Sequence, residues 1–157
     1  MIDMIEMLLV NEKQMLHLGT ALAPHLRAGD VLLLRGDVGA GKTVLARGIA
    51  RGLGIKEPIT SPTFTLLHTY EDGRLPFTHF DLYRLTGEDD FYDAGLSEYL
   101  GGTAVSVVEW PQCCEGAMPS AHLDIHIQYG EETGTRILRI TAKGSFREVK
   151  WDEIISD

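Results

Sequence analysis

One segment of the chain has the residue types and spacing needed to bind a polyphosphate. Residues 36–43 are Gly-Asp-Val-Gly-Ala-Gly-Lys-Thr, which fills every fixed position of the pattern G-x-x-x-x-G-K-[ST]. The glycines let the backbone turn tightly and bring successive N–H groups close to one anion. Lys42 can reach the terminal phosphates, and the Thr43 hydroxyl can bind Mg²⁺. We call residues 36–43 the glycine-rich loop; they predict a site for a nucleoside triphosphate.

The residues on either side of the glycine-rich loop support this prediction. The apolar run Val31–Leu34 precedes the loop and is typical of a strand buried on both faces. Apolar residues at helical spacing continue from Val44 to Leu53 and end at Gly54. The order strand, loop, helix is the one that the motif requires, and the helix start adds its positive dipole end at the phosphates.

Two carboxylates follow apolar strands further along the chain. Glu109 comes directly after the run Val105–Val108, and Asp81 ends the segment His79-Phe80-Asp81. Ligands of open α/β sheets bind at the carboxyl ends of the strands. Phosphoryl transfer needs a carboxylate beside Mg²⁺ and a group that orients the nucleophile. We therefore expect Asp81 and Glu109 to take part in the chemistry at the glycine-rich loop.

The remaining patterns predict the elements that position these groups. Strands are predicted at residues 4–10, 31–34, 64–70, 75–85, 105–110, 122–129 and 135–142. Helices are predicted after an N-cap at Asn11 with Gln14 in a capping box, after the glycine-rich loop, and at residues 86–93 and 146–155. Hairpins across residues 71–74 and 130–134 add antiparallel pairs to a parallel centre. The prediction is a single α/β domain over residues 1–157, P-loop NTPase-like, with three layers and a mixed parallel and antiparallel sheet.

Charge and hydropathy exclude several function classes. Fourteen basic and 23 acidic residues give a net charge of −9, which disfavours an extensive nucleic-acid footprint on this chain. Any role in RNA metabolism is expected to need a partner that holds the RNA. The apolar runs are too short to span a bilayer, and acidic residues stand where a signal peptide would be basic, so we expect no membrane association and a cytoplasmic location.

Several side chains near these motifs allow more than one interpretation. A strand histidine with one satisfied hydrogen bond is the favoured interpretation of His79, ahead of a general base. Arg84 is equally compatible with an arginine finger in cis and with pairing to Asp89 or Asp90. Cys113 and Cys114 have no zinc-site spacing and are predicted to be reduced thiols in a loop without a function.

Three functions fit the glycine-rich loop and the two carboxylates. An ATP hydrolase is favoured, because both acids are predicted at strand ends. A small-molecule kinase is the alternative, although no arginine-bearing lid segment is visible in the sequence. A non-catalytic nucleotide-binding regulator would not need Asp81 and Glu109. No Asn-Lys-x-Asp segment is present to recognise guanine.

Four segments together resemble the TsaE family, also called YjeE. They are the glycine-rich loop, Ser-Pro-Thr-Phe-Thr-Leu at 61–66, His-Phe-Asp-Leu-Tyr-Arg-Leu at 79–85 and Glu-Trp-Pro at 109–111. The similarity runs from about residue 10 to residue 112 and continues weakly to about residue 142. It implies a small bacterial ATPase that assists the TsaB–TsaD pair in making threonylcarbamoyladenosine in tRNA. The tRNA would be reached only indirectly through that complex, and the chain is expected to be a monomer or a weak dimer.

The resemblance also implies roles for individual residues. Thr43 and Glu109 would ligate Mg²⁺, and Asp81 would act in the metal shell or orient the attacking water. Asn11 falls where the family has a polar residue near the adenine, and Trp110 matches a tryptophan beside the site. The phosphates of ATP would be bound by Asp37, Val38, Gly39, Ala40, Gly41, Lys42 and Thr43.

The late hairpin departs from the family pattern. Family members often have a basic residue in this turn, close to the nucleotide. Here the turn is Glu131-Glu132-Thr133-Gly134, and Arg136 is the candidate substitute.

Overall fold

The computed structural model describes residues 4–155, and the outermost residues of the predicted domain, 1–3 and 156–157, lie outside this range. Seven strands form a sheet in the order β1-β7-β6-β2-β5-β4-β3. The strands are β1 Met4–Leu9, β2 Val31–Arg35, β3 Leu67–Tyr70, β4 Phe77–Asp81, β5 Val105–Glu109, β6 His122–Tyr129 and β7 Arg136–Lys143. Strand β2 pairs in parallel with β5 and β6, and β4 pairs in parallel with β5. The pairs β1–β7, β6–β7 and β3–β4 are antiparallel, which confirms the mixed sheet.

Helices cover both faces of this sheet. The α-helices are α1 Glu12–Leu22, α2 Lys42–Gly52, α3 Glu88–Asp93 and α4 Trp151–Ile154. Short 3-10 helices lie at Ala23–His25, Leu96–Tyr99 and Pro111–Ala117. Within residues 4–155, no helix combines the length and the apolar character needed to cross a bilayer.

The sheet separates two apolar cores because successive strand side chains point to opposite faces. On one face, Leu32 and Leu34 pack with the apolar sides of α1, α2 and α4. On the other face, Leu33 and Val108 pack with α3 and the neighbouring 3-10 helices. Every residue of β2 from Val31 to Leu34 is buried, as its apolar run predicts. Two cores around one sheet give the three-layer α/β fold that the sequence predicts.

Capping fixes the start of α1. The Asn11 side chain accepts a hydrogen bond from the Gln14 N–H at 2.9 Å, which confirms the predicted N-cap. The Gln14 amide oxygen in turn accepts from the Val10 N–H at 2.9 Å, one residue before the donor of a standard capping box. Two N–H groups that the helix cannot satisfy internally are thereby paired.

Several predicted boundaries are wrong, each for a physical reason. Strand β3 is shorter than the predicted run 64–70 because residues 63–65 form a turn, and β4 is shorter than the run 75–85 because a turn follows at residues 83–84. The whole of β5 is buried. Only Trp151–Ile154 of the predicted C-terminal helix is α-helical. Cys113 lies in a 3-10 turn rather than a loop, whereas Cys114 lies at a non-helical kink after it (φ −140°, ψ 45°), and burial raises the pKa of Cys114 to about 11.

Glycines let α1 and α2 pack with their backbones in contact. A Cβ at Gly48 would lie 2.3 Å from the Leu16 carbonyl oxygen of α1. A Cβ at Gly19 would lie 2.7 Å from the Leu45 carbonyl oxygen of α2. Both obstacles are backbone atoms, which cannot rotate away as a side chain can. This close approach sets the position of α2, and therefore that of the glycine-rich loop at its start.

Replacing Gly48 with alanine is expected to destabilise the fold. Alanine favours a helix by about 1 kcal/mol over glycine, but overpacking against backbone typically costs 1–3 kcal/mol or more. We expect a net loss of about 1–2 kcal/mol in the free energy of unfolding, measured by urea denaturation. Gly87→Ser is the control, since a Cβ there meets nothing within 4 Å. A Gly48→Ala variant as stable as the wild type would contradict the close packing.

Candidate active site

The register of three parallel strands brings the predicted site residues to one edge of the sheet. Leu34 of β2 pairs with Glu109 of β5, and Glu109 pairs with Asp81 of β4. The glycine-rich loop begins directly after β2, so it leaves the sheet at the same level as both carboxylates. The predicted position of Asp81 and Glu109 at strand ends is confirmed.

Two glycines give the loop its shape. Gly39 has φ 82° and Gly41 has φ 115°, in the left-handed region that other residues rarely adopt. A Cβ at Gly41 would also lie 2.9 Å from the Met15 Cε atom of α1. The backbone conformation therefore requires glycine at position 41, whereas the flexible Met15 side chain could move aside. Helix α2 begins at the next residue, Lys42, so its N-terminal N–H groups point towards the loop.

The β6–β7 hairpin holds the loop from outside. The Tyr129 hydroxyl donates to the Val38 carbonyl at 2.7 Å. Arg136 donates from Nε to the Ala40 carbonyl at 2.9 Å and from Nη2 to the Gly39 carbonyl at 3.2 Å. The Arg136 guanidinium also stacks on the Tyr129 ring, 4.4 Å from its centroid. These contacts fix the peptide planes of three successive loop residues.

Lys42 is buried at the centre of the loop. Its ammonium group donates to the carbonyls of Gly36 and Asp37 and lies 3.7 Å from the centroid of the Trp110 ring. Burial lowers the pKa of Lys42 below its ordinary value, and the charges of Glu109, Asp81 and Asp37 oppose that shift. A partly desolvated ammonium group interacts with an anion more strongly than one in water does.

Trp110 adopts an unusual backbone conformation directly after β5. Its φ of 58° and ψ of 47° are left-handed, which is uncommon for a bulky residue. Its ring packs against Tyr83 at 4.9 Å, in addition to the Lys42 ammonium. Strained residues of this kind tend to cluster at functional sites. The sequence places Trp110 beside the site, and the structure adds its contact with the lysine.

Hydroxyl groups connect the carboxylates with the surrounding elements. The Thr43 hydroxyl donates to Glu109 Oε2 at 3.0 Å, so the two predicted metal ligands lie together. Thr63 donates to Asp81 Oδ2 at 3.4 Å, and the Thr63 and Ser61 hydroxyls are 2.9 Å apart. The Ser61–Thr65 segment thus reaches the site through Thr63. Asp81 Oδ1 also accepts from the Tyr83 N–H at 3.1 Å.

These groups line a cavity of about 390 Å³, within the range of small-molecule sites. Its walls are Val38, Gly39, Gly41, Lys42, Thr43, Val44, Ser61, Thr63, Asp81, Tyr83, Glu109 and Trp110. The carboxylate and hydroxyl groups in this lining offer only oxygen atoms as metal ligands, which suits Mg²⁺. In the part of the chain that the structure describes, His, Cys, Asp and Glu do not group in threes as in an all-protein metal cage. Mg²⁺ commonly uses one or two protein ligands together with phosphates and water, so the residues fit this ion.

Asn11 lies on the opposite side of the loop. It lines a smaller cavity of about 80 Å³ together with Met15, Gly134 and Arg136. The structure therefore brings Asn11 and the late hairpin together beside the loop. The Asn11 side chain also caps α1, which gives this residue a structural role as well.

Sequence reasoning missed the contact of His79 with the site. The His79 ring is fully buried, and its Nε2 atom lies 2.6 Å from Glu109 Oε2. The sequence contains an indication of this contact. His79 stands two residues before Asp81, so both side chains point to the same face of β4. The predicted pairing of Arg84 with Asp89 or Asp90 is wrong: its guanidinium lies 4.4 Å from the centroid of the Phe64 ring. Across residues 4–155, no ion pair joins Arg84 to Asp89 or Asp90.

Sequence comparison identifies the family. The model of the family described as "Threonylcarbamoyl adenosine biosynthesis protein TsaE" matches residues 9–138. This chain belongs to the TsaE family. Its relatives include the tRNA threonylcarbamoyladenosine biosynthesis protein TsaE of Bacillus subtilis, 40% identical over 145 residues, covering 92% of this chain and 90% of that protein. The TsaE of Treponema pallidum is 44% identical over 131 residues, covering 83% of this chain and 87% of that protein.

A solved structure supports the same assignment. The crystal structure of Bacillus subtilis YdiB superposes with a TM-score of 0.79 at 35% sequence identity. The match covers 92% of this chain and 88% of YdiB. TsaE family proteins take part in the biosynthesis of threonylcarbamoyladenosine in tRNA, which places this chain with the tRNA modification machinery.

The contacts of Arg136 predict an indirect effect on ligand binding to this TsaE family member. Hydrogen bonds to a charged group contribute about 1.5–3 kcal/mol, so loss of the guanidinium is expected to loosen the loop. Arg136→Ala is expected to weaken nucleotide binding about tenfold or more in a fluorescence titration. Arg139→Ala is the control, because Arg139 lies on the same strand as Arg136 but pairs with Glu6 of β1. If the Arg136→Lys variant binds the nucleotide as tightly as the wild type does, the positive charge supports the loop rather than the two hydrogen bonds of the guanidinium group.

Proposed function

We propose that this chain is a Mg²⁺-dependent ATPase that assists a TsaB–TsaD complex in threonylcarbamoyladenosine modification of tRNA in the cytoplasm. It would hydrolyse ATP to ADP and phosphate. The observation that carries the proposal is the convergence of the glycine-rich loop, Lys42, Thr43, Asp81 and Glu109 on one cavity. A positive loop beside hard oxygen ligands is the arrangement that phosphoryl transfer requires.

The loop and the lysine would bind the phosphates. Backbone N–H groups from Asp37 to Thr43 and the start of α2 offer donors and a positive dipole end. Lys42 would exchange its contacts with the Gly36 and Asp37 carbonyls for the terminal phosphates. Because these parts are already positioned by α1 and by the late hairpin, little ordering is left for the moment of binding.

The hydroxyl and the carboxylates would serve the metal and the water. Thr43 and Glu109 would hold the ion, which supplies Lewis-acid stabilisation of charge on the phosphates. Asp81 lies beside Glu109 in register, where its carboxylate can accept a hydrogen bond from a water aligned with the γ-phosphate. Attack by this water would break the bond between the γ-phosphorus and the bridging oxygen, leaving ADP and phosphate. Thr63, hydrogen bonded to Asp81, connects this position to the Ser61–Thr65 segment.

Substitutions at Lys42 and Glu109 should separate binding from hydrolysis. Lys42→Ala removes the main positive charge and is expected to abolish ATP binding. Glu109→Ala is expected to leave ATP affinity within a few-fold of the wild type while hydrolysis falls about a hundredfold or more. Equilibrium titration with a fluorescent ATP analogue and a phosphate-release assay measure the two effects. Lys56→Ala and Glu98→Ala, which remove exposed charges, are the matched controls.

Each of these two measurements can refute one of the proposed residue roles. Equal ATP affinity of the wild type and the Lys42→Ala variant would refute phosphate binding by the loop. Unchanged hydrolysis by the Glu109→Ala variant would refute the metal role of this carboxylate.

Exposed apolar side chains at the cavity mouth support a protein partner. Val38 is 75% exposed, Phe64 80% and Tyr83 56%, all next to the residues proposed to act on ATP. Exposed aromatic and aliphatic groups close to a functional cleft are typical of interaction surfaces. The net charge of −9 further supports contact with tRNA through the partner complex rather than through this chain.

Phosphate release by the chain alone and with purified TsaB–TsaD and tRNA tests the partnership. We expect stimulation by the complex together with formation of the modified adenosine. Phe64→Ser is expected to reduce the stimulation at least several-fold while the basal rate is kept, because Phe64 is exposed and forms no wall of the cavity. Tyr99→Ser is the control, since Tyr99 lies near the start of β5, at the other end from Glu109. A lack of stimulation would favour the alternative function, a kinase that transfers the phosphoryl group to a small molecule.

A further inference from the structure

His79 is a buried polar side chain that contacts the proposed metal ligand. It lies on β4 and pairs in register with Val107 of β5, two residues before Glu109. Because side chains two residues apart on a strand share a face, His79 and Glu109 form a diagonal pair on the α2 side of the sheet. The 2.6 Å distance from His79 Nε2 to Glu109 Oε2 is short for a hydrogen bond to a carboxylate.

The surroundings of the imidazole ring determine which of its nitrogen atoms donates a hydrogen bond. Nδ1 is buried and has no hydrogen-bond partner among residues 4–155. A proton on Nδ1 would therefore be a buried donor without an acceptor, which typically costs 1–3 kcal/mol. A proton on Nε2, in contrast, forms a charge-assisted bond with Glu109. Nε2 is therefore the ring nitrogen that donates a hydrogen bond to the carboxylate.

Two donors thus meet at one oxygen of Glu109. Oε2 accepts from His79 at 2.6 Å and from the Thr43 hydroxyl at 3.0 Å. Oε1 has only the longer Thr43 contact of 3.3 Å among the described hydrogen bonds. The carboxylate is thereby fixed in orientation, with Oε1 as the oxygen that has more acceptor capacity left.

We propose that His79 is a positioning residue that orients Glu109 for the divalent cation. This inference rests on the proposed function, because it assigns His79 a role at the same metal site. The imidazole does not touch ATP or the cation; it acts through Glu109. Partners that orient a metal ligand in this way typically contribute 10–100-fold in metal affinity or activity. A histidine that only fills the core would affect stability without affecting the metal.

Three substitutions separate orientation from packing. His79→Leu keeps much of the volume but removes the donor. His79→Gln places an amide nitrogen about where Nε2 lies, whereas the amide of His79→Asn is too short to reach Glu109. His122→Leu is the control, because His122 bonds to the Pro119 carbonyl away from the site.

Each variant is first bound to a non-hydrolysable ATP analogue. Electron paramagnetic resonance then measures the affinity of this complex for Mn²⁺, which substitutes for Mg²⁺. We expect His79→Leu and His79→Asn to weaken Mn²⁺ binding about tenfold or more, while binding of the analogue without metal changes less than twofold. His79→Gln is expected to stay within about threefold of the wild type, since the donor to Glu109 is restored. If the leucine variant does not fold, the glutamine and asparagine variants alone decide the question.

A second measurement needs neither metal nor nucleotide. Long-range ¹H–¹⁵N NMR spectra of the wild-type imidazole groups are expected to show a proton on Nε2 of His79. Mn²⁺ affinities of all three His79 variants equal to that of the wild type, or an Nε2 atom without a proton, would overturn the positioning role. A wild-type chain that binds neither the analogue nor Mn²⁺ would instead refute the proposed function, so the two failures are distinguishable.

Discussion

The parallel register of β2, β5 and β4 is the constraint on which the site depends. It places Glu109 level with the end of β2 on one side and with Asp81 on the other. Because β2 leads directly into the glycine-rich loop, the buried ammonium group of Lys42 meets both carboxylates in one cleft. A shift of one residue in this register would turn each acid to the opposite face of the sheet. The two apolar cores, one on each face, hold the register in place.

The glycine-rich loop is supported on both sides by elements distant in sequence. On one side, close packing at Gly19 and Gly48 positions α1 against α2, and Met15 of α1 lies against Gly41. On the other side, Tyr129 and Arg136 bind the carbonyl groups of the loop. A loop held in this way does not have to be ordered by its ligand, which favours binding. The late hairpin therefore contributes to the site although its turn, residues 131–134, has no basic residue.

The sequence predicts those parts of the site that depend on residue type and local order. The glycine-rich loop, the strand-end acids and the cap at Asn11 are of this kind. The contact of His79 with Glu109 is different, because it arises from the neighbourhood of β4 and β5, which no local pattern specifies. The burial of Ser106 in β5 depends on the same neighbourhood: it is polar but buried, and its hydroxyl is hydrogen bonded to that of Thr78 at 2.6 Å. The conformation of Trp110 likewise depends on the packing of Tyr83 and Lys42 around its ring.

The balance of charge in the cleft determines which form of ATP can bind under the proposed function. Glu109 and Asp81 carry two negative charges against the one positive charge of Lys42, and the whole chain is at −9. The loop amides and the dipole of α2 add about half a positive charge, which does not offset the carboxylates and a triphosphate together. A divalent cation bound together with the phosphates would offset this excess. The acids would thus favour the metal complex of ATP over the free nucleotide.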